Sequence, residues 1–103
     1  MVLIIKVTYP NKEEADKAIA ILLKKELISS ANLFAIKSTS LWTGKIKEVD
    51  EVMALFKTNN DNWIRVRDEI KKLHSYKVPC IIKIEGEANL EYEEWVDKQT
   101  RKL

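Results

Sequence analysis

His74-Ser75-Tyr76-Lys77-Val78-Pro79 joins two segments whose apolar residues recur at different periods. Upstream, Trp63, Val66, Ile70 and Leu73 fall at helical spacing and form the apolar stripe of a helix ending at Leu73. Downstream, Cys80 to Glu85 is a run of strand formers, broken by Gly86. The hexapeptide therefore carries the chain from a helix C-terminus into a strand. It also holds the only histidine, a tyrosine and one of the two prolines.

The same change of period occurs nearer the N-terminus. Val2 to Thr8 is rich in branched aliphatics, reads as a strand and is closed by Tyr9-Pro10. Asn11 is a good N-cap, and Glu14 three positions later completes a capping-box-like start, with Asn in place of Ser or Thr. Ala15, Ala18, Ile19, Leu22 and Leu23 then recur at helical spacing. Ala31 to about Ser38 predicts a second strand, and about Lys45 to Lys57 a third. A bend or bulge is expected near Lys47-Glu48-Val49-Asp50, because one regular strand rarely runs that long. Thr58-Asn59-Asn60-Asp61 offers caps for the second helix, and a short final helix is expected over about Glu91 to Arg101, with Trp95 inward. The order β-α-β-β-α-β plus a terminal helix is an α+β, ferredoxin-like split βαβ arrangement, expected as one domain over residues 1–103.

In that arrangement both helices cover one face of the sheet, and an open second face would show apolar and polar residues in alternation. These strands do not alternate. Leu3, Ile5 and Val7 can face the helices while Val2 and Ile4 point away. Val52, Ala54 and Phe56 share one face, Met53 and Leu55 the other. Leaving several such side chains in water would expose a patch that invites association, so burial of the second face against other subunits is expected.

Charge and motifs narrow the function. With 18 basic and 16 acidic side chains alternating in sign, the chain has no basic stripe for nucleic acid. Val2-Leu3-Ile4-Ile5 is too short for a signal-peptide core or a membrane span. One cysteine allows no internal disulfide and says little about compartment, since a lone thiol fits a reducing cytosol without excluding other locations; a cytoplasmic location is the expectation. No CxxC, HxxxH, P-loop, GxGxxG or nucleophile elbow is present. Glu13-Glu14 and Glu93-Glu94 are adjacent in sequence and diverge on their helices, and Lys57, His74 and Tyr76 have no evident general-base partner. A non-enzymatic protein is expected.

Two residues are candidate metal ligands. The His74 imidazole suits copper or zinc, but a histidine in a helix's last turn also interacts favourably with the helix dipole and can cap the free carbonyls of its own helix, and the sequence places no further ligand within reach. Cys80 is a soft donor for copper(I), but free cysteines are usually small core hydrophobes, and this one opens a buried-looking strand. The structural role is favoured for both.

The ordered set Thr8-x-Pro10, Leu27 with Asn32, Ser38-x-x-x-Trp42-x-Gly44-Lys45, Glu51 through Phe56-Lys57-Thr58, His74-x-Tyr76-x-Val78-Pro79 and Tyr92-x-x-Trp95 resembles the CutA divalent-cation-tolerance family over nearly the whole chain. The resemblance implies a tight homotrimer, similar in architecture to the PII signalling proteins, with a role in divalent metal, notably copper, tolerance. It also places Trp42, Lys45, Lys57, Thr58 and Tyr76 near clefts between subunits. There a lysine beside a phenol and an indole would hold a small anion or carboxylate, or the aromatics would simply anchor the interface. The chain departs from the family pattern at Ser30, where the family has cysteine, and at Lys77 and Cys80, where it has acidic residues. Those departures lean towards the alternative, a PII-like small-molecule or protein-interaction sensor without a metal role.

Overall fold

Apolar residues at every second position bury one side of two central strands and thereby set the architecture. The computed structural model describes residues 1–100. In chain order the elements are β1 (Val2–Tyr9), α1 (Lys12–Lys24), β2 (Ser30–Trp42), β3 (Lys45–Asn59), α2 (Trp63–Leu73), β4 (Ile81–Gly86) and α3 (Leu90–Gln99), with a 3-10 turn at Asn60–Asn62. The sheet order is β2-β3-β1-β4 with every pairing antiparallel, the ferredoxin-like α+β arrangement.

β1 and β3 pair so that Leu3 stands opposite Thr58, Ile5 opposite Phe56, Val7 opposite Ala54 and Tyr9 opposite Val52. This row lies under the helices. It packs with Ala15, Ala18 and Leu22 of α1 and with Val66 and Ile70 of α2, all buried. Tyr9 and Phe56 meet edge to face with centroids 6.5 Å apart. Asn11 caps α1 as expected, its Oδ1 accepting from the Glu14 N–H at 2.9 Å. The reciprocal arm of the capping box is not made, because the Glu14 carboxylate accepts instead from the Ser75 N–H at 2.9 Å.

β3 is not bulged. Its pairing with β2 keeps one register from Ser30 opposite Lys57 to Trp42 opposite Lys45. The strand runs so long because β2 is equally long, continuing past Ser38 to Trp42, and the two leave the body as a ribbon-like arm. The molecule is consequently elongated, 45 Å in its longest dimension against 24 and 20 Å. At the tip Thr43 (φ 47°) and Gly44 (φ 80°) are both left-handed, the geometry of a two-residue I′ hairpin turn.

The second face carries the other parity: Ile4, Lys6 and Thr8 of β1 opposite Lys57, Leu55 and Met53 of β3, flanked by Phe34 on β2 and by Ile82 and Ile84 on β4. Phe34, Ile82 and Ile84 remain 47%, 46% and 46% exposed in the single chain. α3 closes only the end where Val2 pairs with Asn59, through buried Val96 and an Asn59 Nδ2 donation to Thr100 Oγ1 at 2.8 Å. Val96, not Trp95, is the inward residue of α3. Trp95 is exposed, its ring 5.8 Å from that of Tyr92. The expected helix end at Arg101 lies outside the described residues.

Phe56 fills the centre of the helix-side layer with no exposed surface. Phe56→Ala is expected to cost about 3–5 kcal/mol in chemical denaturation; a loss below about 1 kcal/mol would show that the layer closes without it.

Candidate functional site

The segment between α2 and β4 is held by side chains from three other elements. His74, whose side chain is wholly buried, stacks on Tyr9 with ring centroids 4.6 Å apart. Its Nδ1 accepts from the Tyr76 N–H at 3.1 Å, which leaves the proton on Nε2, and Nε2 donates to the Thr8 carbonyl at 2.7 Å. Both ring nitrogens are engaged, so the imidazole as placed has no lone pair for a metal. It does not cap its own helix either, as expected from its place in the last turn, but ties the segment to the end of β1. Glu14 of α1 holds Ser75, with its Oε2 also 3.6 Å from His74 Nδ1. Glu51 of β3 accepts from the Tyr76 hydroxyl at 2.5 Å.

These anchors set one wall of a cleft of about 770 Å³ between the segment and the arm. Tyr76, Lys77 and Val78 face Ser38, Ser40, Trp42, Lys47 and Glu51 across it. Burial first, then the short bond to Glu51, pushes the Tyr76 phenol up to about 12. Tyr76 is therefore protonated at neutral pH and donates a hydrogen bond; it is no base. An indole and valines supply apolar walls, two serines hydroxyls, Lys47 and Lys77 positive charge, and Asp50 and Glu51 negative charge.

The structure brings together two of the five sequence-predicted cleft residues, Trp42 and Tyr76. Lys45 stands opposite Trp42 at the arm's tip, exposed and outside the cleft lining. Lys57 is six residues along β3 from Glu51, about 20 Å at the strand rise, so one chain does not carry it to Tyr76. Burial lowers its pKa, and Nζ donates to Asn32 Oδ1. Thr58 is fully buried on the helix side, where its hydroxyl donates to the Leu27 carbonyl at 2.7 Å and accepts from Asn62 Nδ2 at 3.2 Å; its role is to hold the core. Cys80 does not open a buried strand. It precedes β4 and its thiol is exposed. Among the described residues no three His, Cys, Asp or Glu side chains gather into a metal-holding group. Glu14 was read in the sequence only as a capping-box residue and Glu51 only as the start of the run to Thr58; nothing in the sequence pointed to their hold on the segment.

Tyr76 ionisation gives a direct check. A phenol raised above its ordinary value contributes stability in full below pH 10, lost as the pH rises through about 12. The tyrosinate absorbance of wild type minus Tyr76→Phe should therefore show one step near pH 12; a step at pH 10 would mean that in solution Tyr76 is neither buried nor bonded to Glu51.

The sequence model of the CutA1 divalent ion tolerance protein family matches residues 3–99. The divalent-cation tolerance protein CutA of Pyrococcus horikoshii is 41% identical over 101 residues, covering 97% of this chain and 99% of that protein. The crystal structure of CutA1 from Pyrococcus horikoshii superimposes with a TM-score of 0.93 at 40% identity, covering 97% and 99% of the two chains. A PII-like protein CutA from Nostoc sp., 24% identical, shares the fold with a TM-score of 0.90 over 96% of this chain and 97% of its own. Among the described residues no helix is long and apolar enough to cross a membrane.

Proposed function

The chain belongs to the CutA1 divalent ion tolerance family, and we propose that it acts as a non-enzymatic homotrimer binding a small anionic molecule in the cleft beside Tyr76. The observation that carries self-association is the second face, where Phe34, Ile82 and Ile84 stay nearly half exposed in one chain; three as the number of copies follows from the family resemblance. Burying each such side chain fully is worth roughly 1.5–3 kcal/mol, enough over several residues to drive association. The anion reading is supported by Lys47 and Lys77 beside apolar walls from Trp42 and Val78; Asp50 and Glu51 also line the cleft, so the preference is local to the two ammonium groups, and the Glu51 carboxylate is already engaged by the Tyr76 hydroxyl. Binding rather than catalysis is supported by the chemistry of the lining: the phenol is held protonated, and the carboxylate beside it is already its acceptor.

The tolerance role then runs through the cleft and not through a copper or zinc ion on His74, whose two nitrogens hold Thr8 and Tyr76. This is the point at which the PII-like sensor reading and the metal-tolerance reading meet.

Light scattering should give three times the 12.0 kDa chain mass, and Phe34→Asp should yield lighter or insoluble protein. A wild type that stays monomeric would end the trimer reading. Calorimetric titration with zinc or copper should give the same stoichiometry in wild type and His74→Gln; loss of binding in the variant would return His74 to a metal site.

A further inference from the structure

Two ammonium groups on the second face have no carboxylate beside them. Lys57 stands opposite Ile4 and Lys6 opposite Leu55, so the two lysines are diagonal neighbours on adjacent strands. Glu51, on the same face, lies six residues along the strand and accepts from Tyr76. Among the described residues neither lysine forms an ion pair. In water this is harmless. Under a covering subunit it is costly, because an unpaired cation taken out of water loses its hydration without replacement.

The polar groups around Lys57 are rich in donors. Its Nζ donates to Asn32 Oδ1 and to the Leu55 carbonyl at 3.5 Å, leaving one N–H over. Asn32 spends its carbonyl on that lysine and keeps both amide hydrogens. Ser30 stands directly opposite Lys57, and its Oγ lies 3.5 Å from the Tyr92 hydroxyl, so one hydroxyl hydrogen bridges the pair and the other is spare. Burial already lowers the Lys57 pKa in the single chain.

We propose that Lys57, Asn32, Ser30 and Tyr92, with Lys6 alongside, form an oxyanion-binding site that fills when the second face is buried between subunits; the inference rests on the trimer reading above. The ligand chemistry is a carboxylate or phosphate-class group, accepting from the ammonium, the amide and the hydroxyl together. Its source is either a free oxyanion or a carboxylate of the neighbouring copy, and one set of measurements separates the two.

Inorganic phosphate is titrated into wild type, Lys57→Met and Lys57→Gln in Tris-chloride at constant ionic strength, following Tm, binding heat and oligomer mass. Lys57→Gln retains a donor for Asn32 and guards against a fold lost through the apolar replacement. For a free oxyanion, phosphate raises the wild-type Tm by about 4 °C or more, and both variants lose that rise with at least ~10-fold weaker binding. For a neighbour's carboxylate, phosphate adds nothing, high sodium chloride lowers the wild-type Tm, and both variants start lower and lose that salt response. Variants that respond to phosphate and salt as wild type does, with Tm unchanged or higher, overturn the site. A trimeric wild type giving that last result removes the oxyanion site alone, whereas a monomeric wild type removes the assembly beneath it.

Discussion

Side chains leave a strand alternately on its two sides, and here both central strands carry apolar residues at both parities. Leu3, Ile5, Val7 and Tyr9 go to the helices with Ala54 and Phe56, and the intervening positions put Ile4, Leu55 and Met53 on the other side. A one-residue slip between β1 and β3 would turn one strand over against the other and drive Lys6 or Lys57 into the helix layer. The register is therefore fixed by charge as much as by oil. Two helices and a short terminal one are too few to cover both faces, so the uncovered face, the arm and the cleft all follow from that single pairing.

The His74 ring is the second constraint. It lies between Tyr9 and Tyr76, with centroids 4.6 and 5.0 Å away; Nε2 bonds the end of β1 at Thr8, and Nδ1 folds its own segment back by accepting from the Tyr76 N–H. Glu14 and Glu51 reinforce it from α1 and β3. A loop carrying Tyr76, Lys77 and Val78 is thereby bonded to β1, α1 and β3, so the cleft wall is built before any ligand arrives. Such prior ordering lowers the entropy that binding must overcome.

Much of this was legible in the sequence because periodicity is local. The element order, the two parities of β1 and β3, the Asn11 cap and the resemblance to CutA proteins all rest on residues close in the chain. What was not legible depends on distance. A bulge in β3 was expected from strand length alone, yet whether a long strand bends or projects depends on a partner of matching length, and β2 proved to be that partner. His74 was expected to cap its own helix, but its acceptor is Thr8, 66 residues away. Lys57 and Tyr76 were expected near clefts between subunits; within one chain the straight run of β3 holds them about 20 Å apart, so only a neighbouring copy could bring one to the other. Trp95 fell on the wrong side of α3 because Val96, one position on, points at the sheet.

Two of the three departures from the family pattern, Lys77 and Ser30, fall beside charged side chains; the third, Cys80, places an exposed thiol just before β4. Lys77, at a position that is acidic in the family, lines the cleft with Lys47, so the wall opposite Trp42 gains a cation where the pattern would supply an anion. Ser30, in place of cysteine, stands opposite Lys57 with its hydroxyl beside that of Tyr92, adding a strong hydrogen-bond donor where a thiol would offer a weak one. Both changes move the local chemistry away from soft or carboxylate metal ligation and towards groups that bind oxygen anions. They lie on different elements and act at different sites, one in the cleft and one on the face, so a preference for oxyanions would be a property of this chain's surface as a whole and not of one accidental lysine.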